Sequence, residues 1–363
     1  MALEQLSLST KNFYAPRFEV QINNSRLAAN ISKAITDVTI DEKMDEGASF
    51  RFTVNDEFDM IRQQFKWLDH PLFDVGNTVS IRIGYGSDFQ EITMGKITSL
   101  EPSFFSGELP TIAISGQDLS YDFLKRTSPE RTFTDHSYSD IARTIASEAE
   151  LQAVVDDTVV FEPFIRKNNS ETYYAFLESL AAKAGYSFSV DRRTMYFAKP
   201  KDDRKEILTL SLGKDIISFM PRMNTTDLVT EVEVRGHDPR NPNTPIVGRA
   251  RAGSERGQEP GRQTASQVAE DRCGEIKSVL TGVIVNSVEH ANAIAQAELN
   301  RRSDLFVEGN VESIGIPQIR PGVTIKLNKM GTRFSGKYYV KEASHTLGSS
   351  GYRLRFTVKR NAL

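Results

Sequence analysis

The pattern of apolar and polar positions is clearest between Asn168 and Ala198. Tyr173, Phe176, Leu177, Leu180, Ala181 and Ala184 recur at helical spacing, which predicts a helix with one buried stripe. Asn168 is placed to cap it, Glu171 to answer the cap, and Gly185 to end it in a left-handed conformation. The period then changes to two. Tyr186, Phe188 and Val190 point one way, Ser187 and Ser189 the other; Asp191 to Thr194 turns the chain and Met195 to Ala198 returns as a second strand. A helix set on a hairpin in this way is a packing nucleus.

Toward the N-terminus, alternation predicts strands at 13–22, 35–40, 49–54, 78–85, 90–100 and 111–116. Asn23-Asn24, Gly84-Tyr85-Gly86-Ser87 and Ser106-Gly107 read as turns. Residues 56–70 fit a short amphipathic helix carrying Phe58, Ile61, Phe65 and Leu68. Short strands at regular spacing suggest an antiparallel barrel or sandwich, with a boundary near residue 125. Ser139 can cap a second helix through Ile141, Ala142, Ile145 and Ala149. Beyond the central hairpin, strands are predicted at 206–210, 230–235, 276–285, 305–311, 323–327, 337–344 and 352–358. Ser287 caps a helix at 287–303 carrying Ala291, Ile294, Ala295, Glu298 and Leu299. Residues 237–267 mix Pro239, Pro242, Pro245 and Pro260 with Gly248, Gly253, Gly257 and Gly261, and read as a long mobile loop. No short tandem repeat is evident.

Composition narrows the function classes. A chain of 363 residues has room for two or three domains with real cores. Its net charge of -3 gives no electrostatic case for nucleic-acid-specific binding or for an anionic membrane. The first residues lack a basic n-region and a long apolar run, and runs such as Val283-Ile284-Val285 are far too short to span a bilayer. No membrane insertion by this chain is expected. Cys273 is the single cysteine, so an intramolecular disulfide and a Cys-based zinc cluster are excluded, and folding in a reducing cytoplasm fits.

Candidate chemistry is sparse. His70, His136, His237, His290 and His345 are scattered without metal-ligand spacing, and no Gly-x-Ser-x-Gly elbow occurs. Gly331 to Lys337 matches the first seven positions of a phosphate-binding loop. Tyr338 then stands where Ser or Thr would hold magnesium, and a strand pattern follows, so the stretch reads as a hairpin turn. Gly84-Tyr85-Gly86 lacks the third glycine of a dinucleotide fingerprint, and Asp156-Asp157 and Asp202-Asp203 read as solvated turns. No catalytic set, metal or cofactor is expected. Arg249, Arg251, Arg256 and Arg262 are candidate contacts to an acidic partner; the plainer reading pairs them with Glu255 and Glu259 in a flexible segment.

Three stretches together resemble the late control protein D family, the hub proteins of contractile phage tails, whose module also forms the N-terminal part of valine-glycine-repeat (VgrG) spikes. The first runs from Ser170-Glu171 through Gly185-Tyr186 and Phe188 to Met195-Tyr196-Phe197. The second is Val232 to Pro239. The third comprises Arg320-Pro321-Gly322, Gly331 to Val340, His345-Thr346, Gly351-Tyr352 and Phe356 to Arg360. The resemblance implies an α+β, β-rich fold with two antiparallel β-barrel-like domains and a mixed helix/hairpin region. On that plan, residues 1–125 form the first barrel-like domain, 126–205 the helix/hairpin domain, and 206–363 the second barrel-like domain, which carries the 237–267 loop and the 287–303 helix.

The implied function is a structural baseplate hub, a homotrimer adapting a hexameric tail-tube protein to a trimeric spike protein, with baseplate adaptor or wedge proteins as further partners. It would assemble in the producing cell's cytoplasm and be extracellular after release of the particle. The chain stops at Leu363, so the spike is expected to be a separate polypeptide, which favours a phage tail or an extracellular contractile injection system. Two other classes compete: a β-rich module binding glycans or a protein, and a tail-associated peptidoglycan hydrolase.

Overall fold

The structure is a computed structural model that describes residues 15–44, 46–86, 88–159, 162–199, 205–238, 241–256 and 262–363. The expected strand start at Phe13, together with Ser87, Asp202-Asp203, Pro239, Gly257, Glu259, Pro260 and Gly261, lies outside the described residues.

Alternation builds the first β unit from β1 (Pro16–Ile22), β2 (Ser25–Arg26), β3 (Ile35–Lys43) and β4 (Gly47–Asn55). Asn23 and Asn24 both take positive φ in the β1–β2 turn, which asparagine tolerates. The alternate residues Val38 and Ile40 of β3, and Phe50, Phe52 and Val54 of β4, point into a buried core. Residues 56–70 are not helical. They form a small ribbon, β5 (Phe58–Asp59) against β6 (Gln64–Phe65), and Ile61 is 94% exposed. The cause is Asp56, a buried carboxylate that accepts the backbone N–H groups of Glu57, Trp67 and Leu68 and closes the segment into a loop. Then β7 (Thr78–Tyr85), β8 (Asp88–Ser103) and β9 (Thr111–Asp118) complete the unit.

The middle unit holds β10 (Arg131–Thr134), the helix Tyr138–Glu148, β11 (Gln152–Val155), β12 (Phe164–Lys167), the helix Tyr173–Ala184, β13 (Ser187–Asp191) and β14 (Thr194–Ala198). The expected stripe of the Tyr173–Ala184 helix is buried throughout, and Gly185 ends it at φ 71°. Both helix starts differ from expectation. Ser137, not Ser139, caps the first helix and accepts the Asp140 N–H at 3.1 Å. Thr172, not Asn168, caps the second and accepts the Ala175 N–H at 3.1 Å. Ser139 is instead tied to Thr158, and Asn168 to Glu171 one turn earlier. The connection between the helices also contains β11 and β12, which are absent from the expected elements; β11 joins β14 in parallel.

The last part carries β15 (Glu206–Ser211), β16 (Ile216–Met223), β17 (Glu231–Asp238), β18 (Asn241–Arg251), β19 (Lys277–Ile284), β20 (Val307–Ile314), β21 (Thr324–Asn328), β22 (Gly336–Gly348) and β23 (Gly351–Arg360), with helices Ala265–Cys273 and Val288–Ser303. The 237–267 segment is not one long loop. β18 pairs antiparallel with β17, and Thr264 caps the Ala265–Cys273 helix. Its glycine content misleads because Gly248 serves packing: a Cβ there would sit 2.3 Å from the Ala291 carbonyl carbon. Val232, Val234 and Ala250 thereby seat against Ala291, Ile294, Ala295 and Leu299 of the Val288–Ser303 helix. Gly331–Phe334 is a single helical turn joining antiparallel β21 and β22, in keeping with a hairpin connection.

A 13-stranded sheet runs through both β units, because β22 pairs with β3 from Glu342↔Lys43 to Leu347↔Val38. The units share one strand order. The path β3-β4-β9-β8-β7-β1 in the first corresponds to β16-β20-β23-β22-β21-β15 in the second, strand for strand in chain order. Register irregularities coincide as well: Ile35/Asp37 on β3 matches Ile216/Ser218 on β16, and Ile97/Ser99 on β8 matches Val340/Glu342 on β22. The entry to the fourth strand is also built twice. Gly76 N–H donates to Ile97 O at 2.8 Å and Ile97 N–H to Asn77 O at 3.0 Å; Gly322 N–H donates to Val340 O at 3.0 Å and Val340 N–H to Val323 O at 2.9 Å. The two glycines have φ of 95° and 93°. One pair departs from the expected antiparallel plan: β1 is antiparallel to β7, but β15 runs parallel to β21.

Candidate assembly surfaces

Where β22 meets β3, the sequence places Glu42 near the end of β3 and His345 within β22, both buried. Arg320 enters from the turn before β21. Its Nε donates to Glu42 Oε1 at 2.9 Å and Oε2 at 3.2 Å, and its terminal nitrogen reaches Glu42, the Ile92 carbonyl at 2.9 Å and Asp191 at 3.0 Å. One guanidinium therefore ties β3, β8 and the β13 end of the middle unit. Burial pushes the Glu42 carboxyl up, but the adjacent His345 ring and the Arg320 guanidinium outweigh it and hold the group below its ordinary value. Burial likewise opposes the charge on Arg320, and Glu42 more than offsets it. His345 Nδ1 lies 2.7 Å from Tyr352 Oη, and Tyr85 Oη donates to Gly315 O at 2.7 Å. Acid, base and cation are present, but each is engaged by the others, so the set acts as a rivet between units.

A second feature is the exposed face of the β18-β17-β19 sheet. Glu233 accepts from Arg235 at 2.6 Å, Arg249 at 2.8 Å and Lys277 at 2.6 Å. Glu231 accepts from Arg251 at 3.0 Å and Lys277 at 3.1 Å. Lys277, Arg235 and Arg249 together bring the Glu233 carboxyl down to about 2. Among the described residues the face carries four cations against two carboxylates, and the side chains of Arg249 and Arg251 remain 51% and 70% exposed. The four arginines singled out in the sequence are thus divided. Arg249 and Arg251 belong to this cross-strand ladder. Arg256 donates its backbone N–H to Asn300, and Arg262 binds the Thr332 and Ser335 carbonyls of its own chain. Glu255 is buried and accepts the Gly253 and Ser266 N–H groups, so it does not serve Arg249 or Arg251.

A groove of about 770 Å³ crosses the line where the two β units fuse, lined by Asp41, Lys43, Ser218, Glu312, Glu342 and Arg355 among others. It is mixed in charge and built largely on strands. The histidines noted in the sequence are not brought together: among the described residues no group of three or more His, Cys, Asp or Glu could hold a metal ion. Asp156 accepts the Lys199 N–H and Asp157 pairs with Arg143, both structural roles. Among the described residues no helix is long and apolar enough to cross a membrane. Nothing local in the sequence marks the Glu42–Arg320 rivet: Arg320 stands in an Arg-Pro-Gly turn and its partner lies 278 residues away.

No curated protein matches the chain. Solved structures of the same fold are numerous. The 43 kDa tail protein of prophage MuSo2 from Shewanella oneidensis is 16% identical with a TM-score of 0.68, over 95% of this chain and 98% of that one. A tail protein from Neisseria meningitidis MC58 is 14% identical with a TM-score of 0.67, over 96% and 97%. The Escherichia coli c3393 protein, a component of the type VI secretion system, is 11% identical with a TM-score of 0.56, over 93% and 76%. The fold is that of phage tail and VgrG-like proteins. A family described as the Alg8 N-terminal domain matches residues 14–349, and the chain belongs to that family.

Proposed function

We propose that this protein is a structural baseplate hub of the late control protein D type, in a contractile phage tail or an extracellular contractile injection system. Three copies would adapt a hexameric tube to a trimeric spike. The observation that carries this reading is the twice-built strand order. A chain that contains one β unit in two versions offers six similar units when three copies close into a ring, and three unlike ones on whatever face the added elements occupy. The neighbouring tail proteins lend support through their fold. In this reading the two units are the barrel-like hub domains, roughly 1–125 and 206–363, and the chain is assembled in the producing cell before it reaches the particle.

Of the candidate partner contacts, Arg249 and Arg251 are retained and assigned to an acidic surface on a baseplate adaptor or wedge protein. Arg256 and Arg262 are assigned to holding the C-terminal unit together. Electron microscopy of the assembled particle tests the reading: three copies around a through-channel are expected, and six copies or a monomeric attachment would refute it.

A further inference from the structure

We propose that β8 of one copy of this chain docks along β16 of a second copy, repeating between subunits the junction that β22 and β3 make within each. The inference rests on the trimer reading above. In the shared strand order, β22 is the fifth strand of the second unit and β3 the second strand of the first. Their counterparts are β8 and β16, and that junction is unmade within the chain. Among the described residues β16 pairs with β20, apart from a single bridge between Ile216 and Leu212, and the Thr98–Ser103 stretch of β8 pairs only with β9. The chain therefore has one junction closed and the matching pair of edges open.

The coincident irregularities fix the register. With Ser99 equivalent to Glu342 and Ser218 equivalent to Asp37, the β22–β3 pairing sets Leu100 opposite Met223, Glu101 opposite Arg222, Ser103 opposite Met220 and Phe104 opposite Phe219. What meets is complementary. Arg222 is exposed and forms no ion pair among the described residues; Glu101 is also exposed and is shared with Arg51 at 3.0 Å. Opposite charges directly across an antiparallel pair stabilise it. Phe104 is 57% and Met220 66% exposed, an unusual apolar display for strand edges, and Phe105 beside them is 67% exposed. Pro102 and Pro221 fall opposite one another. Neither has an N–H, so this pair adds no ladder bond; it bars either edge from accepting an arbitrary strand and leaves recognition to the flanking side chains.

The test is a double variant, Glu101→Cys with Arg222→Cys, in a Cys273→Ser background, oxidised after light scattering has recorded the mass. Within one chain the two positions are seven strands apart along the sheet, roughly 34 Å at about 4.8 Å per strand, so their disulfide joins copies. A covalent trimer is expected, with neither single-cysteine variant giving one. A trimeric sample that yields no covalent trimer overturns this inference alone. A chain that stays monomeric at all concentrations and in the particle overturns the trimer reading with it. A charge reversal gives an independent readout: Glu101→Arg should weaken trimerisation about tenfold or more, and adding Arg222→Glu should restore it. Equal assembly of single and double reversals would also overturn the proposal.

Discussion

Arg320 Nε donates to Glu42 Oε1 over 2.9 Å, across 278 residues of chain. With both groups nearly excluded from water, removing one leaves the other as an uncompensated charge. Arg320→Met is therefore expected to cost about 3–5 kcal/mol, and Arg320→Met with Glu42→Gln distinctly less. Urea unfolding of both variants and of Glu42→Gln alone checks this; a double-variant loss equal to the sum of the two single losses would show that the two groups are not coupled.

The same pair contributes to the acid sensitivity of the fold. Glu42 has its carboxyl held below the ordinary 4.5, so its contribution is complete above that value and is lost as pH falls through the lower folded value. Stability should fall as pH drops below about 4.5, and Glu42→Gln should flatten that part of the profile. Urea midpoints of both proteins across the acid range decide it; parallel profiles would exclude Glu42 as the cause.

Within the middle unit, Leu177 is fully buried and Phe176 stacks on Phe133 with centroids 6.0 Å apart. Leu177→Ala and Phe176→Ala should each cost roughly 2–5 kcal/mol through the cavities they leave. An unchanged thermal midpoint would show that the helix contributes little to the core.

What the sequence disclosed and what it concealed divide by range. The Tyr173–Ala184 helix and the β13–β14 hairpin were legible because neighbours a few residues apart decide them. The apolar spacing of Phe58, Ile61, Phe65 and Leu68 misled because one buried carboxylate, Asp56, outweighs it. β18 was hidden because its glycine answers to Ala291, a residue on a distant helix. Glu42 and Arg320 find each other only through the fold. The duplicated unit left the faintest mark: Gly76-Asn77-Thr78-Val79 and Gly322-Val323-Thr324-Ile325 share glycine, threonine and an apolar residue at matching places. The backbone register was retained while the side chains diverged.

Those two glycines give a direct comparison. A Cβ at Gly76 meets nothing within 4 Å and one at Gly322 only the Tyr339 hydroxyl at 3.8 Å, so substitution costs backbone strain and little else. Gly76→Ala and Gly322→Ala should each destabilise by about 1–2 kcal/mol and by equal amounts within error. A large difference in calorimetric stability would show that the two turns are not energetic equivalents.

The pairing of β22 with β3 has a consequence for how the protein is made. On the ribosome, β3 emerges early and its hydrogen-bonding edge then waits about 300 residues for its partner, roughly 15–60 s at about 5–20 residues per second. During that interval the first unit is an open template that a nascent neighbour on the same message can occupy. Closure of the β22–β3 junction within one chain is therefore a late step, no faster than synthesis of the residues between the two strands.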